Sequence, residues 1–122
     1  MIRVAAAVCF DRGKVLIASR PENKPPAGWE FPGGKLEKGE TPQQAARREL
    51  KEELDWDILP LDIIYTLKKN DIIIYFVRVI PAGTNLPSPR ENQQIKWVEL
   101  SSGFPENMLK NDREFWDFIT SA

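Results

Sequence analysis

The apolar positions of the chain form short continuous or alternating runs that predict β-strands. Turn-forming residues at Asp11 to Gly13 follow the first run, and a polar segment over 68–71 separates two later ones. We therefore expect two pairs of strands joined by tight turns, followed by one further strand. The runs cover residues 2–10, 14–19, 61–67, 72–80 and 95–100.

The clearest helix is predicted over residues 42–54, where nothing after Pro42 breaks the helical pattern. Thr41 can cap its N-terminus, and Pro42 suits the first helical position because its missing N–H is not needed there. Gln44 completes a capping box with Thr41. The apolar side expected to pack on the core consists of Ala46, Leu50 and Leu54.

A second helix is predicted over about residues 112–119, where Phe115, Phe118 and Ile119 have helical spacing. Strands interleaved with two helices are typical of an α+β fold. We expect an α/β/α sandwich in which a mixed β-sheet lies between helices. Residues 1–122 are expected to form a single domain, because their number is typical of one and no linker-like segment divides them.

The composition of the 122 residues narrows the chemistry that the chain can perform. Lys and Arg total 17 against 18 acidic residues, and a net charge of −1 argues against nucleic-acid polymers or membranes as partners. The absence of histidine and the single cysteine, Cys9, exclude Ser–His and Cys–His catalysis, histidine-ligated zinc and an internal disulfide. Carboxylates, lysine, arginine, hydroxyl groups or a hard cation must supply the chemistry.

The longest apolar run, Val4 to Phe10, has seven residues, whereas a membrane-spanning helix needs about 20. Asp11 and Arg12 interrupt this run too early for a secretion signal. A cytoplasmic location is therefore expected, with the protein acting as a monomer or a homodimer.

Three glutamates of the first predicted helix point in similar directions. At about 100° per residue, Glu49, Glu52 and Glu53 share an arc of about 100°. A solvated acidic face explains such an arc simply, because exposed like-charge pairs cost only about 0.2–0.5 kcal/mol. A cation site is favoured by the Glu49–Glu53 pair, which Arg48 is expected to leave uncompensated, and by the glycine-rich bend before the helix. Oxygen ligands favour Mg²⁺, Mn²⁺ or Ca²⁺.

The segment from Gly34 to Glu53 resembles the signature of the Nudix hydrolases. Five residues separate Gly34 from Glu40, and seven more precede Arg-Glu-Leu-Lys-Glu-Glu at 48–53. The preceding stretch over 29–35, Trp-Glu-Phe-Pro-Gly-Gly-Lys, is similar to the MutT-type branch of nucleoside triphosphate pyrophosphohydrolases. This resemblance adds a family to the cation site inferred above.

The chain departs from the Nudix signature at Asp55 and Trp56, where the family has glycine and an aliphatic residue. Glycine at the first position would end the helix in a left-handed conformation, and aspartate is among the few residues that tolerate it. We expect a local change in helix capping, with Trp56 filling an apolar slot and no metal ligand lost.

The resemblance implies a metal centre built on the helix glutamates, with Mg²⁺ as the cofactor and Mn²⁺ as an alternative. Glu49 and Glu53 are the implied principal ligands, Glu52 is the next in importance, and the carbonyl group of Gly34 contributes. Since the chain carries no net positive charge, the metal would neutralise the substrate phosphates and orient water.

Further roles follow from the same resemblance. Glu91 corresponds to a loop glutamate that approaches the metal and is a candidate base, although an ordinary loop charge is the alternative. Arg48 is expected to orient a carboxylate, with Glu40 as its candidate partner. Arg20 and Lys35 are the candidates for binding phosphate.

The candidates for recognition of the nucleotide base lie outside the segment from Gly34 to Glu53. Phe31 and Trp29 are candidates for an aromatic wall, although core packing is the alternative for both. Asn111 and Asp112 lie where MutT-type relatives place a polar residue that contacts the base. Asparagine could donate and accept, whereas an ionised aspartate only accepts and would favour cytosine or adenine; either residue could also cap the helix.

The function implied by the resemblance is hydrolysis of (deoxy)nucleoside triphosphates to a monophosphate and pyrophosphate, in the manner of enzymes that remove damaged nucleotides and so support DNA repair. One alternative is hydrolysis of another nucleoside diphosphate derivative, such as ADP-ribose. A second is a non-catalytic nucleotide-sensing module, although such modules usually lack one of the signature carboxylates, and none is missing here.

Overall fold

The computed structural model describes residues 1–20, 27–90 and 93–121 and contains two β-sheets and two α-helices. The strands are β1 (Ile2–Val8), β2 (Phe10–Asp11), β3 (Lys14–Ser19), β4 (Trp29–Glu30), β5 (Gly33–Lys35), β6 (Ile58–Lys69), β7 (Ile72–Pro81) and β8 (Ile95–Glu99). The helices are α1 (Pro42–Leu54) and α2 (Lys110–Thr120), with a 3₁₀ turn over Leu100–Ser102.

The first sheet is mixed and has the strand order β5-β1-β7-β6. β1 runs parallel to β7 and antiparallel to β5, and β6 is an edge strand antiparallel to β7. Successive side chains of β1 face opposite sides of the sheet. Ala5 and Ala7 pack with the buried residues of α1, whereas Ala6 and Val8 pack with Phe115 of α2. The sheet therefore lies between the two helices, as the α/β/α sandwich requires.

The second sheet is built around β3, which pairs antiparallel with β2, β4 and β8. The predicted tight turn between the runs over 2–10 and 14–19 is present, but the prediction of one continuous strand over 2–10 is wrong. β1 ends at Val8, and Phe10–Asp11 pairs with β3, next to a hydrogen bond from the Leu16 N–H to the Cys9 carbonyl at 3.2 Å. The physical reason is that β5 and β7 already occupy both edges of β1, so β3 has no edge of that strand to join.

Both ends of α1 follow the predicted local chemistry. The Thr41 hydroxyl accepts a hydrogen bond from the Gln44 N–H at 3.1 Å, and the Gln44 side chain accepts one from the Thr41 N–H at 2.9 Å. Asp55 ends the helix in the left-handed conformation with φ 46°, and its N–H donates to the Leu50 carbonyl. Trp56 is buried against α1. The departure from the Nudix signature is thus accommodated by helix capping.

The hairpin between β6 and β7 is present, but β6 is longer than predicted. It begins at Ile58 and continues through Pro60, with shifts of register on either side of Ile63. Proline is tolerated there because an edge strand does not need every backbone donor. Neither helix of the described residues has the length and hydropathy needed to cross a membrane.

Candidate active site

A cavity of about 850 Å³ is lined by residues of β1, β5, β7, α1 and α2. Its size lies within the range of about 300–1,000 Å³ that small-molecule sites occupy. Arg48 and Asn111 are not among its lining residues, and Glu91 falls outside the described part of the chain. The predicted site residues that line it are Arg20, Phe31, Gly34, Lys35, Glu49, Glu52, Glu53 and Asp112.

β5 brings the backbone of Gly34 against the carboxylate of Glu49. A Cβ atom at residue 34 would lie 2.6 Å from either oxygen of that carboxylate, so any side chain would displace the glutamate. The Glu49 side chain is only 17% exposed. The glycine of the signature therefore has a steric reason, namely the close approach of backbone and carboxylate.

Arg48 is the centre of a network of ion pairs beside this carboxylate. Its Nε and Nη2 atoms donate to the two oxygens of Glu40 at 2.7 and 2.9 Å. Its Nη1 atom donates to Glu49 at 2.8 Å and to Glu52 at 3.3 Å. These hydrogen bonds from Arg48 are the main reason that the pKa of Glu40 falls to about 2, and the bond with Glu40 is the first cause of a raised pKa of Arg48.

The ion pair between Arg48 and Glu40 is present as predicted, but a second prediction about Arg48 is wrong. It does not leave Glu49 uncompensated, since its Nη1 atom binds that carboxylate directly. The Nη2 atom also donates to the carbonyl group of Lys35 at 3.0 Å. This bond displaces the guanidinium across the helix surface towards β5, whose Gly34 lies against the Glu49 carboxylate. The helical angles alone could not show this displacement.

The acidic residues of α1 have the donor chemistry of a divalent-cation site, but they are not gathered around one point. Within the described part of the chain, no group of three acidic side chains is close enough to hold a metal ion. Glu49 and Glu52 bind Arg48 instead, and one carboxylate oxygen of Glu53 is buried. The residues fit Mg²⁺ or Mn²⁺, because every donor is oxygen and Gly34 leaves room beside Glu49. Binding therefore requires these acidic side chains to move closer together, and Arg48 contacts only one carboxylate oxygen each of Glu49 and Glu52.

Backbone hydrogen bonds between β4 and the start of α2 place Asp112 in the wall of the same cavity. The Trp29 N–H donates to the Asn107 carbonyl at 2.9 Å, and the Leu109 N–H donates to the Trp29 carbonyl at 2.9 Å. Asp112 is only 7% exposed, and its carboxyl group accepts backbone hydrogen bonds from the Phe31 N–H and from its own N–H. The tertiary fold thus buries an acidic group against the cavity.

Burial is the main reason that the pKa of Asp112 rises to about 8, and the nearby charge of Glu30 raises it further. The backbone hydrogen bonds and the charge of Arg20 lower it, but by less. The carboxyl group is therefore mostly neutral at pH 7 and can both donate and accept, unlike an ionised aspartate. Asn111 is half-buried, and neither it nor Asp112 caps α2, whose N-cap is Leu109.

The other substrate-binding candidates differ in how open they are. Arg20 donates to Glu30 at 3.3 Å, and about a quarter of each side chain is exposed. Phe31 reaches the cavity but belongs mainly to the core, where it is 2% exposed. Trp29 is not among the lining residues, and the Lys96 Nζ atom lies 4.1 Å from the centroid of its ring. Of the proposed aromatic wall, only Phe31 borders the cavity.

The cavity also contains three polar residues that the sequence did not single out. Glu30 lines it beside Arg20, and Gln93 and Arg90 line it from the loop before β8. Gln93 is buried, which is unusual for a glutamine in a loop. Glu30 lies at the site because it pairs with Ala18 in the antiparallel strands β3 and β4. The local sequence pattern does not predict this register.

The family to which these features belong is shown by comparison with known proteins. A family model described as the NUDIX domain matches residues 1–117. The chain belongs to the NUDIX family. The Gly34-to-Glu53 segment around Arg48 is therefore the NUDIX signature in its folded context. NUDIX hydrolases generally use divalent metals, in agreement with the oxygen donors described above.

Individual NUDIX relatives differ in the nucleotide that their names mention. The chain is 35% identical over 104 residues to an 8-oxo-dGTP diphosphatase of Haemophilus influenzae, covering 81% of this chain and 76% of the relative. It is 53% identical over 55 residues to a CTP pyrophosphohydrolase of Escherichia coli, covering 44% and 41%. The chain spans about half the length of several curated relatives that it matches.

The fold is also that of a solved structure of similar length. The solution structure of the Escherichia coli ORF135 protein superposes with a TM-score of 0.79 at 29% identity, covering 98% of this chain and 89% of that one. The similarity extends over both sheets and both helices, and so over all the elements that line the cavity.

Proposed function

We propose that this NUDIX protein hydrolyses nucleoside triphosphates to a nucleoside monophosphate and pyrophosphate with Mg²⁺, or alternatively Mn²⁺. The observation that carries the proposal is one cavity that contains both the α1 glutamates and the buried Asp112. The first group suits a metal and phosphates, and the second suits a nucleotide base. The names of two relatives, an 8-oxo-dGTP diphosphatase and a CTP pyrophosphohydrolase, support the same class of substrate.

At the phosphate end, Glu49, Glu52, Glu53 and the Gly34 carbonyl group would hold the metal. When bound, the metal supplies neutralisation of phosphate charge and activation of water. Arg48 acts as a positioning residue in this proposal, because its forked contacts fix the carboxylates from one side.

Glu91 remains our candidate for a further ligand or the general base. It lies outside the described residues, but the preceding residue is attached to the metal-binding helix, since the Arg90 N–H donates to the Glu53 carbonyl at 3.1 Å. Arg20 and Lys35, both lining the cavity, are the proposed phosphate-binding side chains.

At the base end, a neutral Asp112 would offer one donor and one acceptor to the base. Cytosine presents an amino group beside a ring nitrogen, and an oxidised guanine presents N–H groups beside carbonyl oxygens, so both match such a pair. We therefore propose a base-contacting role for Asp112 and none for Asn111. Removal of damaged nucleotides from the pool is the physiological role that we propose.

The test is a hydrolysis screen of the four ribonucleotides, the four deoxyribonucleotides, 8-oxo-dGTP and ADP-ribose with Mg²⁺. The products distinguish the candidates, so pyrophosphate and phosphate release are measured separately. We expect pyrophosphate release, highest with CTP or 8-oxo-dGTP. Turnover of ADP-ribose alone would support the diphosphate-derivative alternative, and nucleotide binding with no turnover would support the sensing module; both contradict the proposal.

A further inference from the structure

The loop between β7 and β8 is fastened to the C-terminal end of α1 where the chain departs from the NUDIX signature. Three hydrogen bonds of 2.7–3.1 Å make this attachment, and one of them uses the indole N–H of the residue that replaces an aliphatic side chain. The bonds join Trp56 to the carbonyl of Asn85, Ser88 to the carbonyl of Leu54 and Arg90 to the carbonyl of Glu53. The part of the loop from Asn85 to Arg90 is thus held beside the C-terminal end of α1.

The attachment brings a cation to the cavity that the signature does not include. Arg90 lines the cavity, and its backbone is bonded to the residue proposed as a principal metal ligand, Glu53. The side chain of Arg90 is therefore attached to the backbone at the end of the cavity where the α1 glutamates lie. Any phosphate held by a metal on Glu49 and Glu53 would be close to this end.

Arg90 can leave its present partner, Asp55, with little loss of stabilising free energy. Its Nη2 atom lies 3.5 Å from a carboxylate oxygen of Asp55, and the two side chains are 57% and 56% exposed. Half-exposed pairs of this kind contribute little. Asp55 is also paired with Lys51 at 3.2 Å, so it would keep a cation if Arg90 turned to another anion.

The charges of the cavity favour movement of the Arg90 side chain from Asp55 to a bound phosphate. Its described lining includes three cationic side chains, Arg20, Lys35 and Arg90, and Arg20 is already bonded to Glu30. A bound nucleoside triphosphate carries several negative charges, and arginine binds phosphate through two parallel hydrogen bonds. Arg90 is therefore suited to bind the outer phosphates at the glutamate end of the cavity.

We propose that Arg90 is a substrate-binding residue that contacts the two outer phosphates and the pyrophosphate product. Between turnovers, its guanidinium group pairs with Asp55. The proposal rests on the proposed function, because it requires pyrophosphate at the glutamate end of the cavity. It adds a phosphate-binding residue outside the signature, supplied by the loop that Trp56 fastens.

Binding of inorganic pyrophosphate in saturating Mg²⁺, measured by isothermal titration calorimetry, tests this role without turnover. Arg90→Gln should weaken binding about tenfold, as loss of a charge-assisted hydrogen bond predicts. Arg90→Lys should fall between that variant and wild type. Arg78→Gln is the matched control, because Arg78 forms a similar half-exposed pair with Asp62 outside the cavity lining and should bind normally.

Asp55→Asn separates phosphate binding from a merely structural role of Arg90. Asparagine tolerates the left-handed backbone, and the variant frees Arg90, so pyrophosphate should bind equally well or more tightly. Equal weakening by Asp55→Asn and Arg90→Gln, or normal binding by Arg90→Gln, would overturn the inference. Wild-type protein that neither binds pyrophosphate nor hydrolyses any nucleotide would instead contradict the proposed function itself.

Discussion

Two carboxyl groups of the candidate site lie in opposite environments. Glu40 belongs to the network around Arg48, where hydrogen bonds from the guanidinium lower its pKa to about 2. Asp112 lies against the cavity wall, where burial raises its pKa to about 8. The first environment keeps Glu40 ionised, and the second favours the neutral form of Asp112, which can donate a hydrogen bond. In the proposed function, the glutamates of α1 beside this network would hold the metal and phosphates, and Asp112 of α2 would contact the base.

The largest effect is expected from the ionised side of the comparison. Glu53→Gln keeps the size of the side chain but removes its charge, and pyrophosphate release should fall by about 10²–10³-fold or more, as loss of one electrostatic element of a site does. Steady-state kinetics with the preferred nucleotide and Mg²⁺ provide the measurement. Glu99→Gln, an exposed glutamate of β8 outside the cavity lining, is the control and should retain activity. Near-normal turnover of a folded Glu53→Gln protein would contradict the mechanism.

Arg48→Gln tests the network that holds the α1 carboxylates. Loss of the forked contacts should reduce activity by about 10–100-fold, the effect typical of residues that orient ligands. The affinity for Mn²⁺, measured by electron paramagnetic resonance, should fall with it, and that change separates positioning from general destabilisation. The matched control is Arg47→Gln, the neighbouring exposed arginine of α1. Unchanged Mn²⁺ affinity in Arg48→Gln would show that Arg48 does not position the ligands.

Asp112→Asn tests the neutral side of the comparison through its pH dependence. Wild-type Asp112 loses its proton as the pH rises through about 8, so its KM for nucleotide should increase there by about tenfold with the lost donor. An asparagine does not titrate, so the KM of the variant should stay level between about pH 6 and 9. Parallel pH profiles of the two proteins would contradict the role of Asp112.

The same substitution changes stability in a defined direction. The pKa of Asp112 is raised in the folded state, so its stabilising contribution is complete below about pH 4 and is lost as the pH rises to about 8. Relative to wild type, Asp112→Asn should therefore gain melting temperature with increasing pH, and the gain should level off above about pH 8. Thermal unfolding followed by circular dichroism at several pH values measures this difference.

The smallest effect is expected next to Asp112. Asn111 does not line the cavity, and Asn111→Ala should change KM by no more than about twofold, as surface substitutions do. A large increase in KM would show that Asn111 contacts the base and would contradict the assignment of this role to Asp112 alone.

The features that the sequence predicted correctly are those determined by residues close together in the chain. The bounds of α1 follow from Thr41, Pro42 and Gln44, and the left-handed cap at Asp55 follows from its side chain. Glutamate spacing on one helix is likewise a local property. Such features need no knowledge of the rest of the fold.

What the sequence could not show depends on distant contacts. The break between β1 and β2 exists because β5 and β7 occupy both edges of β1. The bond of Arg48 to the Lys35 carbonyl, which carries its guanidinium to Glu49, joins residues on separate elements. Burial of Asp112 depends on the docking of α2 against β4, and its raised pKa follows from that burial.

The most direct test of the account is the position of Mn²⁺ in crystals soaked with the metal and a non-hydrolysable nucleoside triphosphate. Anomalous scattering locates the ion independently of the protein atoms. We predict a peak bounded by Glu49, Glu53 and the Gly34 carbonyl, with Arg48 still contacting Glu49 through the other carboxylate oxygen and the base against Asp112. The absence of an anomalous peak between these groups, in crystals where the nucleotide is bound, would contradict it.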